Sequence, residues 1–190
     1  MHAAARNKIL VLGRADVPRA ALVRSVVAAP GAPEHPATDA GDAASRIEWQ
    51  IRTRYYQARV EFWIDSTEQL PADQAQLMDQ WLAAPDQAEG AGERIAAAMD
   101  RETRELQAQL GEVVDAVVFA FDPRRPDTFS DILPWAHFAQ QHRPAVLLCV
   151  ACGERGCGSN QLKDSVFSWC IAAGWEWVDL ADPDPDSDYS

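Results

Sequence analysis

Long apolar runs are missing from this sequence. No segment approaches the ~18 consecutive apolar residues of a transmembrane helix. The chain reaches its first apolar segment at residues 8–12, without the charged, apolar and cleavage regions of a secretory signal before it. We therefore expect a cytosolic protein with reduced thiols and no direct membrane insertion.

Basic residues are also scarce. The 190 residues include 17 lysines and arginines against 29 aspartates and glutamates, a net charge of −12. Such a surface repels phosphate backbones and anionic lipids, which argues against nucleic acid as a partner and favours a protein partner with a basic patch. The hydrophobic content of 47% is enough for a core. We predict one domain over residues 1–181 and a disordered acidic tail over 182–190.

Metal-binding and nucleophilic side chains are few and scattered. The four cysteines are Cys149, Cys152, Cys157 and Cys170. The first three form C-x2-C-x4-C, but a structural zinc site usually has two such pairs, and no histidine lies close in sequence. No serine, cysteine or aspartate stands in a recognisable nucleophile motif. We expect no catalytic residue, no metal and no cofactor.

The hydrophobic periodicity predicts an α/β fold. Strands are predicted at 8–12, 46–51, 56–64, 113–121, 145–150 and 175–180, and helices at 18–29, 71–84, 93–110, 128–141 and 160–173. Gly174 fits the position that ends the last helix. The alternation predicts a doubly wound, mostly parallel six-stranded sheet with one antiparallel strand from the hairpin at 46–64. This order resembles that of small GTPases, with an extended helical insertion at 66–112 and without the last helix.

The segment between the first strand and first helix is a degenerate P-loop. A phosphate-binding loop reads G-x-x-x-x-G-K-[ST], and its backbone N–H groups point at the phosphates. Gly13 keeps the first glycine, but Pro18 replaces the second and has no N–H to donate. Arg19 replaces the lysine, and Ala20 replaces the hydroxyl that would hold Mg²⁺. Asp16 adds a negative charge where phosphates would lie.

Two further nucleotide motifs are incomplete. After the third strand, a GTPase has D-x-x-G, whereas this chain has Asp65 followed by Glu68 in place of the glycine. The guanine-reading [NT]-K-x-D is replaced by residues 151–154. Asp122 ends a central strand, where α/β folds bind ligands, but it precedes Pro123 and is better explained as the start of a turn. We therefore predict no GTPase activity.

Two segments carry a more specific resemblance. One reads W-Q-I-R-T-R-Y-Y from Trp49 to Tyr56, and the other reads W-C-I-A-A-G-W-E-W-V-D-L from Trp169 to Leu180. Both resemble the alpha- and gamma-adaptin-binding protein family, as does the apolar strand ending in Phe-Asp at Asp122. The similarity covers most of residues 8–182, and the second segment is the more specific.

The resemblance implies a Rab-like pseudo-GTPase domain. Members of that family bind the large subunits of clathrin adaptor complexes, the adaptins, and assist assembly of those complexes in vesicle-mediated transport. Partners implied for this chain are therefore adaptins, and their small subunits as a further option. Two alternatives stay open from the residues: a divergent Rab-like GTPase that binds guanine nucleotide, and an interaction module with unrelated partners.

The aromatic residues of these segments have a structural explanation as well. Most lie in or beside predicted strands and a packing helix, where large aromatic side chains form cores. Trp63 lies on the outward alternation of its strand and is predicted to be exposed, and Tyr55 lies at the hairpin bend. Because exposed aromatic residues are enriched at binding hot spots, Trp63 and Tyr55 are the candidate protein-binding residues.

Overall fold

The computed structural model describes residues 7–28, 46–67, 101–153 and 160–180. The helix predicted at 71–84, most of the proposed insertion, the first part of the helix predicted at 93–110, Cys157 and the acidic tail lie outside the described residues. All statements below concern the described part of the chain.

The described residues form an α/β fold. The strands are β1 (Lys8–Leu12), β2 (Arg46–Arg52), β3 (Gln57–Ile64), β4 (Val114–Phe121), β5 (Val146–Ala151) and β6 (Glu176–Asp179). The helices are α1 (Arg19–Val27), α2 (Arg101–Gly111), α3 (Asp127–Ser130), α4 (Leu133–His142) and α5 (Asn160–Ala173). All six predicted strands are present, within two residues of their predicted bounds.

The six strands form a single sheet in the order β2-β3-β1-β4-β5-β6. β2 and β3 pair antiparallel, with Trp49 opposite Val60, and every other pairing is parallel. The prediction of a mostly parallel, doubly wound sheet with one antiparallel strand is confirmed. Because β1, β3, β4, β5 and β6 run in the same direction, their carboxyl ends meet at one edge of the sheet.

The core lies on both faces of this sheet. Phe129 of α3 contacts Phe119 and Phe121 of β4 and Trp169 of α5 edge to face, at centroid distances of 5.1–6.4 Å. The opposite face packs against α1, where Val23 is buried with Val11 and Phe62. Edge-to-face aromatic contacts stabilise by about 1 kcal/mol beyond the area they bury. The aromatic cluster therefore fixes α3 and α5 against β4.

The helix predicted at 128–141 is interrupted. Residues 127–130 and 133–142 form separate helices, α3 and α4, with Asp131 and Ile132 between them. Pro134 lies in the first turn of α4. A proline has no N–H for the bond to residue 130 that a continuous helix would need, so the chain starts a new helix instead. The interruption places Asp131 at the carboxyl edge of the sheet.

We predict that Gly13→Ala lowers the free energy of unfolding by ~3 kcal/mol, because a Cβ at this position would lie 2.3 Å from the backbone oxygen of Ala120. Gly174→Ala is the matched control: its φ is +73°, and nothing lies within 4 Å of the added atom, so only the backbone cost of ~1 kcal/mol applies. Urea denaturation measures both. If both substitutions lower the free energy of unfolding equally, the close approach of Gly13 to β4 does not explain the cost of Gly13→Ala.

Candidate functional site

A cleft lies at the carboxyl edge of the sheet, where α/β folds commonly bind ligands. Its volume is about 370 Å³. It lies between the start of α1 and the segments that follow β4, β5 and β6. Its lining residues are Asp16, Val17, Pro18, Ala21, Leu22, Ser25, Asp122, Arg124, Cys152, Gly153 and Leu180. The degenerate P-loop and Asp122, which the sequence singled out, therefore border the same cleft.

The loop between β1 and α1 uses backbone donors internally. The N–H of Val17 donates to the carbonyl of Arg14 at 3.0 Å, and the N–H of Arg19 donates to the carbonyl of Val17 at 2.7 Å. Pro18, which precedes α1, has no N–H. A phosphate cradle needs several consecutive N–H groups pointing at the ligand. Three consecutive positions of this loop, 17 to 19, therefore offer it no free backbone donor.

Arg14 holds the loop in an ion-pair network. Its Nε donates to Asp131 Oδ2 at 2.7 Å and its Nη2 donates to Asp131 Oδ1 at 3.1 Å, a bidentate arrangement. The same guanidinium pairs with the Asp127 carboxylate and donates to the Asp127 carbonyl. The Thr67 hydroxyl donates to Asp131 Oδ2 at 3.1 Å. Because Asp131 is 1% exposed, its charge depends on these donors. The hydrogen bonds that Arg14 donates to Asp131 and Asp127 hold its pKa above the usual value, although burial lowers it.

Arg19, at the position of the P-loop lysine, is turned towards the segment after β3. Its guanidinium donates to the backbone carbonyl of Asp65. Burial lowers the pKa of Arg19, with the nearby Asp65 and Asp16 carboxylates opposing that effect. Its Nε is buried with no hydrogen-bond partner among the described residues. Ala20, in the first turn of α1, has no hydroxyl for a metal ion.

Two further ion pairs border the cleft. Arg125 pairs with Asp16 at 2.5 Å, and its hydrogen bond lowers the pKa of Asp16. Arg124 pairs with Asp122 at 2.9 Å, and the backbone N–H of Arg124 donates to the same carboxylate. The Arg124 side chain is the main reason that the pKa of Asp122 lies below its usual value. The backbone bond is a turn contact, as the sequence predicted for Asp122.

The cysteines near the cleft are buried thiols. Cys149, Cys152 and Cys170 are free and buried. Burial, with the Asp122 carboxylate nearby, raises the pKa of Cys152 to about 11. A thiol with so high a pKa is a poor nucleophile at neutral pH. Within the described ranges, no three histidine, cysteine, aspartate or glutamate residues are grouped to hold a metal ion.

The two candidate protein-binding residues lie away from this cleft and differ in exposure. Tyr55 is 78% exposed at the turn between β2 and β3, as predicted. The expectation that Trp63 is exposed is wrong: its ring is partly buried and packs against the larger core cluster. The Arg46 guanidinium carbon and the Lys8 Nζ lie over the ring, 5.0 and 5.4 Å from its centroid. Strand alternation assigned Trp63 to the correct face but could not show that this face is covered.

No family model matches the chain, and no curated protein matches it. Among the described residues, no helix is both long and apolar enough to cross a bilayer.

Sequence reasoning missed Asp131, the acid at the centre of the network. It is 117 positions from Arg14, and it was assigned to the interior of a continuous helix. The available signal was Pro134, which breaks that helix and leaves an acid just before the new one. Arg14 lies at a variable position of the P-loop motif, so the motif does not single it out.

We predict that Arg14→Met lowers the free energy of unfolding by ~3 kcal/mol, because it leaves the buried Asp131 carboxylate with only the Thr67 hydroxyl as a side-chain donor among the described residues. Arg59→Met, which breaks an exposed pair with Glu48, is the matched control and should cost ~0.5 kcal/mol. Chemical denaturation measures the difference. A loss for Arg14→Met no larger than that of the control would contradict a structural role for the pair.

We also predict that Asp122 contributes to the acid sensitivity of the fold. Because its pKa is lower in the folded state than its usual value of 3.8, its contribution is present above that value and is lost as the pH falls through the folded pKa. Between pH ~5 and pH ~3 the stability of Asp122→Asn should therefore fall less than that of the parent chain. Urea midpoints across this range provide the measurement. Asp164→Asn, at an exposed position on α5, is the control. If it reduces the loss of stability at low pH as much as Asp122→Asn does, the contribution assigned to Asp122 is wrong.

Proposed function

We propose that this chain is a non-catalytic, protein-binding domain of the adaptin-binding family, with the fold of a small GTPase and without its nucleotide site. It would bind adaptins and assist the assembly of clathrin adaptor complexes. The layout of the sheet supports the first part of the proposal. The strand order β2-β3-β1-β4-β5-β6, with only β2 antiparallel, is the arrangement expected for a Rab-like domain.

The ion pairs at the carboxyl edge of the sheet carry the argument against nucleotide. Each of the four arginines there, Arg14, Arg19, Arg124 and Arg125, already contacts an aspartate carboxylate or carbonyl. A triphosphate would have to displace aspartates from these arginines or lie beside them without compensation. Both are unfavourable: the Arg14–Asp131 pair is buried and therefore costly to break, and a triphosphate beside the aspartates meets like charges at short range.

The two family-like segments supply the argument for adaptins. In the second segment Trp169, Cys170 and Trp175 are buried in the core cluster, so their role is to pack α5 against the sheet. Ile171 is 65% exposed in the middle of that motif. In the first segment, Tyr55 and Tyr56 are the exposed aromatic residues. Each segment therefore combines core residues with apolar or aromatic side chains that a protein partner can reach.

A divergent Rab-like GTPase is the alternative function. It requires guanine nucleotide to bind in the cleft despite Pro18 and the paired arginines. The cleft volume of about 370 Å³ lies within the range of small-molecule sites, so direct measurement is the proper test.

We predict no saturable binding of fluorescent GDP or GTP analogues in the nanomolar to low-micromolar range, with Mg²⁺ present, because positions 17 to 19 offer no free backbone N–H and Arg14 is bound to Asp131 and Asp127. Fluorescence anisotropy makes the measurement, with an active Rab GTPase as the positive control. Saturable binding that is lost on adding unlabelled GTP would favour the alternative function.

We further predict that co-expression with adaptor large and small subunits renders an adaptin soluble and allows its capture with this chain. The readout is affinity capture followed by identification of the bound subunits, and an unrelated acidic α/β domain of similar size serves as the control. If adaptins stay insoluble and none is captured, the adaptin assignment is wrong, although the fold assignment would stand.

A further inference from the structure

The turn between β2 and β3 has the opposite charge from the rest of the molecule. Residues 46–60 contain four arginines and a single glutamate, a net charge of +3, in a chain whose total is −12. Three of the arginines, Arg52, Arg54 and Arg59, lie at the turn or within three residues of it, and all are exposed. We refer to Arg52, Arg54, Tyr55, Tyr56 and Arg59 as the basic hairpin tip.

The tip has a defined conformation. The Thr53 N–H donates to the Tyr56 carbonyl at 2.9 Å. The Thr53 hydroxyl oxygen accepts from the N–H groups of Tyr55 and Tyr56 at 3.2 and 3.1 Å. Because these bonds fix the turn, the tyrosines and arginines around it project from a preorganised loop. A preorganised surface loses less conformational entropy when a partner binds.

The arginines of the tip are only partly neutralised. In the β2–β3 register Arg52 lies opposite Gln57 and Arg59 lies opposite Gln50, so the two arginines are diagonal neighbours on one face. Arg59 pairs with Glu48 at 3.2 Å. Within the described residues, Arg52 contacts the Gln50 amide and Arg54 stacks on the Tyr55 ring at 4.6 Å, and neither has a carboxylate partner. These guanidinium groups therefore retain donors for carboxylates.

The tyrosines add aromatic surface beside that charge. Tyr55 and Tyr56 are 78% and 57% exposed at adjacent positions of the turn. Tyrosine and arginine are the residue types that are most enriched at protein-binding hot spots, together with tryptophan. A site of this composition fits a peptide that combines acidic side chains with an apolar one.

We propose that the basic hairpin tip docks an acidic peptide segment of a protein partner. Such a segment places carboxylates on Arg52 and Arg54 and an apolar side chain on Tyr55 or Tyr56. The net charge of −12 decides between classes of partner. An extended polyanion, such as nucleic acid or an anionic membrane, carries many charges and is repelled by a chain of net charge −12, whereas a short acidic peptide carries few charges and contacts the tip alone.

The tip is distant from the cleft. Since the cleft lies at the carboxyl ends of β1, β4, β5 and β6 and the tip precedes the amino end of β3, the two lie at opposite edges of the sheet. The inference rests on the proposed function only in that the partner is a protein. It requires neither an empty nor an occupied cleft.

The test measures binding of a fluorescein-labelled peptide of glutamate and serine with one central phenylalanine, by anisotropy with the full chain. Arg52→Glu/Arg54→Glu should weaken binding at least ~10-fold, because it reverses two charges at the contact. Tyr55→Ala/Tyr56→Ala should weaken it ~5-fold or more.

Arg24→Glu/Arg101→Glu is the matched control, since it makes the same change in net charge at exposed positions on α1 and α2 and should leave binding within ~2-fold. Thermal melting confirms that each variant is folded.

Three results would overturn the proposal: no saturable peptide binding, equal losses in the hairpin and control variants, or tighter binding of a single-stranded oligonucleotide or phosphatidylserine vesicles through the same arginines. Adaptin capture distinguishes this proposal from the proposed function. Capture that is unaffected by the hairpin substitutions, with no peptide binding, removes only the hairpin site. Peptide binding at the tip without adaptin capture removes only the adaptin assignment.

Discussion

The buried carboxylate of Asp131 sets the arrangement at the carboxyl edge of the sheet. A carboxylate that is 1% exposed is stable in its charged form only when it is paired and hydrogen-bonded. Its partners come from two other parts of the chain, Arg14 after β1 and Thr67 after β3. The break between α3 and α4 therefore holds together three segments that would otherwise be independent loops. The position of the loop before α1, and with it one wall of the cleft, follows from this pairing.

Charge is distributed differently at the two edges of the sheet. At the carboxyl edge, arginines such as Arg14 and Arg125 are matched with aspartates from neighbouring segments, so little positive potential remains for an anion. At the amino edge, Arg52 and Arg54 have no carboxylate partner among the described residues. An anionic ligand thus meets more available donors at the hairpin than in the cleft. The edge at which α/β folds commonly bind ligands is, in this chain, the less suitable one for phosphate.

The sequence predicted the architecture well because the sheet depends on local patterns. Alternation in β3 and the continuous apolar segment of β4 are signals that neighbouring residues supply, and Gly174 adopts the positive φ of a helix end as expected. The pairings of the site are different, because Arg14 and Asp131 lie 117 positions apart and no local pattern joins them. The predicted exposure of Trp63 was wrong for a related reason. Alternation gives the direction of a side chain, and only the fold determines whether another element covers it.

These contacts also bear on whether the domain could act as a switch. A nucleotide-driven switch needs the segment after β3 to be ordered by the ligand and released without it. Here that segment is bonded to protein groups: the Thr67 N–H donates to the Gly13 carbonyl at 3.0 Å, and the Asp65 carbonyl accepts from Arg19. Protein atoms therefore hold this segment in place, and a ligand is not needed to order it. A partner that recognises this arrangement would need no nucleotide cycle, which is consistent with the proposed function.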